Sequence, residues 1–177
     1  MKKRKETELD FEIDELTNSI TNALTGEVFE TKIIRLVNKD SHQIKKANWV
    51  FDWHKELKDH AKGIYKLTTE HNPFVIHGLI CLSDENDHVF MHLIENAKFN
   101  KGANKFYKGV AANMVAFGCK LSFEKGYDGV VAFVAKSHLV EHYKLTLGAK
   151  QVSTNRMFID TKEAIVLIQL YFKDFKP

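Results

Sequence analysis

The sequence predicts a mixed α/β domain of the α+β kind, with a mostly antiparallel central sheet of six or seven strands and flanking helices. Three features carry that expectation. Residues 88–95 (HVFMHLIE) read as an apolar strand and residues 96–108 as a polar loop with lysines in its second half. Residues 109–125 then read as a helix with Val110, Met114, Phe117 and Leu121 on one face. Residues 130–135 (VVAFVA) form a continuous apolar run, the pattern of a strand buried on both faces, so strand, helix and strand imply a parallel crossover. Turn-forming runs at 70–73 (EHNP) and 83–87 (SDEND) separate apolar stretches at 64–69, 74–82 and 88–95, as in successive hairpins.

Size and composition bound the class. A chain of 177 residues suits one domain with a sizeable core. With 44% hydrophobic residues, 28% charged residues and two prolines, disordered and fibrous classes are excluded. The formal net charge is +3, but Lys2, Lys3, Arg4 and Lys5 supply four positive charges, which leaves −1 for the rest. A nucleic-acid partner would call for a basic face on the folded body, and the sequence argues against one. Cys81 and Cys119 lie in apolar runs without CxxC spacing, as buried free thiols in a reducing, cytoplasmic setting would. The N-terminus lacks an apolar signal core, and no run is long enough to span a bilayer.

In chain order, Leu9, Ile13, Leu16, Ile20 and Leu24 recur at intervals of three and four, which predicts an amphipathic helix over residues 8–25 closed by Gly26. Residues 1–26 then form an N-terminal helical extension to a domain at 27–177. The apolar stripe either packs across that domain or makes a homodimer contact. A strand follows at 31–37. After a turn with Asp40 or Ser41 as N-cap, Ile44, Ala47, Phe51, Leu57 and Ala61 trace a helix to about residue 62. Trp49 and Trp53 stand one turn apart on it, a spacing usual in cores. Ser137 opens a helix that Gly148 ends, and residues 151–160 and 164–172 close the sheet as a hairpin around 161–163.

The chemistry concentrates at the loop and helix after residue 95. Gly109, Val110 and Ala111 at the head of the helix leave backbone N–H groups unobstructed, so an anion can sit on the positive end of the dipole, with Lys101, Lys105 and Lys108 beside it. Neither GxxxxGK followed by Ser or Thr nor GxGxxG occurs. His138 and His142 have zinc-compatible i, i+4 spacing but no third ligand, so no metal is expected. His77, His88 and His92, on neighbouring strands, offer a proton relay.

The run from Tyr107 to Ala111, the strand at 130–135, the Glu141-His142-Tyr143 stretch and Leu147-Gly148-Ala149 resemble the GNAT family of N-acetyltransferases. The resemblance covers most of the chain after residue 33. It implies the acyl-CoA N-acyltransferase fold, acetyl-CoA as cosubstrate, a primary amine as acceptor and no metal. In that family a Q/R-x-x-G-x-G/A loop holds the pyrophosphate, so Lys105, Tyr107, Lys108, Gly109, Val110 and Ala111 become the implied cofactor contacts. The backbone of Ile94, Glu95 and Asn96 would meet the pantetheine or thioester. Phe106 stands where the family has Arg or Gln, which leaves Lys105 or Lys108 to compensate. The loop is also longer, and four residues separate Tyr143 from Gly148. Tyr143 matches the phenol that protonates the departing thiolate, and Glu95, ending the central strand, is the candidate base. Trp49 and Trp53 fall on the implied wall of the acceptor site. The competing reading is a non-catalytic acyl-CoA sensor or partner-binding module on the same fold.

Overall fold

The computed structural model describes residues 6–177; the basic run at 2–5 lies outside them. The strands are β1 (Ile20–Asn22), β2 (Val28–Phe29), β3 (Thr31–Leu36), β4 (Lys62–Thr69), β5 (Gly78–Asp84), β6 (Val89–Asn96), β7 (Tyr107–Lys108), β8 (Val131–Val134), β9 (Lys150–Gln151) and β10 (Arg156–Ile159). The helices are α1 (Trp53–Leu57), α2 (Val110–Glu124), α3 (Val140–Leu147) and α4 (Thr161–Tyr171). Seven strands form the main sheet in the order β3-β4-β5-β6-β8-β10-β9, and β2-β1-β7 form a small second one. Every neighbouring pair is antiparallel except β6 and β8. The expected mixed, mostly antiparallel sheet is therefore present.

The parallel pair decides where a ligand can enter. β6 and β8 match only at Val89↔Val131 and Phe90↔Ala132, after which the two strands separate. α2 links them as the crossover and buries Val110, Met114, Val115 and Cys119 against the sheet and α4. β6 also carries one extra residue: Cys81 pairs with Leu93 and Leu82 with Met91, so His92 bulges out and bonds its ring to Ser83 Oγ at 2.6 Å. A bulge bends its strand and re-aims the side chains beyond it, here Ile94 to Asn96. Both cysteines are buried and free, and burial pushes both thiols up.

Three expectations about elements fail. Residues 8–19 are not helical but irregular chain with one bridge at Leu9, and a short β1–β2 hairpin follows. Leu9, Phe11 and Ile13 are buried while Asp10 and Glu12 between them are exposed, a period of two. Leu16 and Leu24, needed for the helical stripe, are exposed, Leu24 by 93%. Leu9, Phe11, Ile13 and Ile20 all join the main core, so residues 9–20 are part of the packed unit.

The long helix expected over 44–62 shrinks to one 3-10 turn at Lys46–Asn48 and the five residues of α1, capped by the Asp52 carboxylate on the Lys55 N–H. Val50 and Phe51 direct their N–H groups to Glu95 instead of to a helical carbonyl. Residues 164–171, expected in a strand to residue 172, belong to α4. Ala164, Leu167, Ile168 and Tyr171 are its buried face, at i, i+3, i+4 and i+7.

Candidate active site

The space between the diverging ends of β6 and β8 is filled by the chain's own N-terminal segment. Leu9 donates to the Val134 carbonyl at 2.7 Å and accepts from Lys136 N–H at 3.0 Å, extending β8's wall by one parallel bridge to Ala135. Two residues on, the Tyr143 hydroxyl of α3 donates to the Phe11 carbonyl at 2.6 Å and accepts from the Phe11 N–H at 3.2 Å. The Phe11 ring lies 5.0 Å from the Tyr143 ring. The Ile13 N–H then donates to His142 Nε2 at 2.9 Å, and the Thr17 N–H to the Tyr171 hydroxyl at 3.0 Å.

Between these anchors, Asp14 reaches the head of α2. Its carboxylate accepts from the Gly109 N–H at 3.2 and 3.4 Å and from Lys105 Nζ at 3.2 Å, with its side chain 15% exposed. Glu15 lies 3.6 Å from Lys108 Nζ. The glycine-opened helix and lysines expected to hold an anion are thus assembled, and the anions they hold are carboxylates of the same chain. Gly109 has φ +78°, and a Cβ there would overlap Thr17 Oγ1 and press on the Ser19 carbonyl at 3.0 Å. Val110 and Ala111 are buried behind it. Tyr107 belongs to β7, paired with Asn22 of β1, and its ring packs edge-on against His77 (4.7 Å) and Phe29 (5.7 Å).

On the β6 side of the segment remains a cavity of ≈ 220 Å³ lined by Phe11, Phe51, Ile94, Asn96, Asn100 and Lys101, among others. Glu95 borders it, with 3% exposure. Its carboxylate accepts from the Val50 N–H (2.8 Å), the Phe51 N–H (3.3 Å), Trp53 Nε1 (2.8 Å) and Lys101 Nζ (3.0 Å). Burial pushes this carboxyl up, but the Val50 N–H, the Trp53 indole and Lys101 outweigh it and hold the group below its ordinary range. A carboxylate has about four lone-pair sites, and here all are engaged. That arrangement ties the 50–53 strap to β6. Asn96 Oδ1 and Asn100 Oδ1 are buried at the same cavity without a partner among the described residues.

Trp49 and Trp53 stand in a core cluster. Trp53 is 1% exposed, its ring meets Trp49 edge-on at 6.5 Å, and the cluster includes Leu36, Ile44, Leu57 and Leu93. The strap residues beside the groove are Val50 and Phe51. The histidine relay also separates. His77 takes an Asn100 amide at 3.2 Å, His92 takes Ser83, and His88 pairs with Asp87 at 2.5 Å. Burial lowers His77 to about 4 and, with Lys62, His92 to about 4, so both are neutral. His142 accepts from Ile13, His138 lies 3.8 Å from Asp10, and no metal-holding group of three occurs among the described residues. Among those residues no helix is long and apolar enough to cross a membrane.

Sequence reasoning missed Asp14, Phe11 and Tyr171. The signal for the first two was the alternation of 9–14, which the coincident spacing of three and four concealed.

No family model and no curated protein sequence matches the chain. Solved structures do. Mutant forms of the spermidine/spermine N-acetyltransferase SpeG from Vibrio cholerae superpose with TM-score 0.53 at 13% identity, over 77% of this chain and 97% of theirs. A spermidine N-acetyltransferase SpeG chimera from Vibrio cholerae and hSSAT gives 0.50 at 13%, over 77% and 98%. A chain of the KacTA–DNA complex gives 0.50 at 16%, over 79% and 99%. At these identities the likeness concerns the fold, and it agrees with the separated parallel pair and the glycine-headed crossover helix: the chain has the fold of the GNAT N-acetyltransferases.

Proposed function

We propose that this protein transfers an acetyl group from acetyl-CoA to a primary amine. The observation that carries the reading is the groove between β6 and β8, which runs from Tyr143 to the head of α2. There the Gly109 N–H and Lys105 already bind a carboxylate. Donors that hold a carboxylate suit a phosphate equally, because both are oxyanions stabilised by the helix dipole and by cations. The donor set therefore fits the cosubstrate, with Gly109, Lys105 and Lys108 toward the pyrophosphate. The space fits it only once residues 9–17 are withdrawn.

Bound acetyl-CoA would supply an activated acetyl thioester. Tyr143 is fully buried, and burial raises its hydroxyl well above the ordinary phenol value, so it is a proton donor at neutral pH. Its acceptor here is the Phe11 carbonyl; with Phe11 withdrawn, the hydroxyl is left to protonate the leaving thiolate. Glu95 holds the strap that presents Val50 and Phe51 to the acceptor, rather than taking the amine's proton. Asn96 and Asn100 offer carbonyl oxygens to donors on the incoming group.

Release of free thiol from acetyl-CoA, measured across a panel of small amines, polyamines and peptides, tests this directly. Tyr143→Phe should lower kcat by about one to three orders of magnitude without weakening acetyl-CoA binding. Retention of CoA with no turnover on any amine would point instead to the sensor reading, and a variant with full kcat would return Tyr143 to packing.

A further inference from the structure

We infer that residues 9–17 are an internal, displaceable occupant of the cosubstrate groove, so that binding CoA and releasing this segment are one equilibrium. The inference rests on the acetyltransferase reading and adds its regulation.

The segment satisfies the groove from end to end. Its backbone completes β8's open edge at Leu9, its Phe11 peptide takes both bonds of the Tyr143 hydroxyl, and its Asp14 and Glu15 carboxylates face Lys105, Lys108 and the Gly109 N–H. Each feature answers a different part of the site, and all lie within a few residues of one another. The cavities left over argue the same way. The one beside β6 is ≈ 220 Å³ and its neighbour along Asp10, Phe51 and Lys101 is ≈ 560 Å³, and Gly109 lines neither. A ligand that takes the Gly109 N–H must therefore displace Asp14.

The segment is also built to leave. Asp10 and Glu12 face outward, and exposed ion pairs such as that of Lys108 with Glu15 are worth little individually. A pyrophosphate brings more negative charge to Gly109, Lys105 and Lys108 than one carboxylate does, so competition favours the ligand at the anionic end. The buried side chains of Leu9, Phe11 and Ile13 hold the closed state. A closed state of this kind lowers apparent affinity by the fraction of molecules that are open.

The experiment uses the full chain with CoA as probe. Amide hydrogen exchange is followed over residues 8–18, and affinity is measured by calorimetry for the wild type and for Asp14→Ala combined with Glu15→Ala. The expected result is faster exchange of the Leu9, Phe11 and Ile13 amides when CoA is added. The double variant should bind CoA about five- to tenfold more tightly, its segment exchanging faster before CoA is present. CoA bound by the wild type with those amides still protected would overturn the inference. So would equal affinity in a variant whose segment exchanges faster. Either outcome leaves the acetyltransferase reading standing. No CoA binding by a variant whose segment exchanges freely would overturn that reading, and this inference with it.

Discussion

Replacing Glu95 by Gln separates two roles that one carboxylate could have at the end of β6. Four donors converge on it, and Gln offers one carbonyl oxygen with two lone pairs, so two donors lose their acceptor and the new NH₂ faces other donors. An unmet buried donor costs about 1–3 kcal/mol, and the pair lost is either Val50 with Lys101 on Oε1 or Phe51 with the Trp53 indole on Oε2, so a total near 3 kcal/mol follows. For a chain of this size that corresponds to a fall in Tm of about 6–12 °C. The pH dependence gives a second reading. The folded carboxyl lies below its ordinary value, so its stabilisation is present above about pH 4.5 and is lost as pH falls through the folded value. Glu95→Gln should remove that acid-side loss. Thermal unfolding of both proteins at pH 7 and pH 4 is the assay. A Tm unchanged within about 2 °C together with a collapsed kcat would refute the reasoning and restore Glu95 as the base.

Other expectations follow from the same contacts. Trp53→Phe should destabilise through the lost bond to Glu95 while leaving the amine KM unchanged; a raised KM with wild-type stability would put Trp53 in the acceptor site. Gly109→Val places a β-branched residue at φ +78°, costing about 1–2 kcal/mol in strain alone, and covers the anion-binding N–H. CoA affinity should then fall at least tenfold, about 1.4 kcal/mol, by calorimetry. His77 is lowered from 6.5 to about 4 by burial, so the unfolded chain binds a proton below pH 6.5 that the native chain refuses. Stability should be full above pH 6.5 and fall by about 1.4 kcal/mol per pH unit toward pH 4, about 3 kcal/mol in all. Urea unfolding of His77→Gln at pH 7.5 and 5 should show a shallower fall.

Much of the central sheet was legible because its signals are local. The residues 88–95, 109–125 and 130–135 announce strand, helix and buried strand by period and by glycine, and β6, α2 and β8 stand there. The outer elements were misread where two patterns coincide. Leu9, Ile13, Leu16 and Ile20 satisfy a helix, but Leu9, Phe11 and Ile13 satisfy a strand, and only an open sheet edge far along the chain decides between them. Residues 164–171 carry strand-forming side chains at helical spacing, and packing against α2 wins over propensity. The lysines and Gly109 were identifiable as anion binders from composition. That Asp14 and Glu15 would be their partners was not, since the pairing joins residues more than 90 positions apart. Glu95 was found by position, but its partners were not, because three of its four donors come from a strap whose path no periodicity encodes.

The claim on which the account depends is that CoA binds in the groove now held by residues 9–17. Titrating CoA into the ¹⁵N-labelled protein and following backbone amides tests it most directly. The account predicts large shifts at Gly109, Val110 and Ala111, with the Leu9 to Asp14 amides moving together toward the positions of a released chain. Shifts confined to another face, with Gly109 and Ile13 unmoved at saturating CoA, would contradict it.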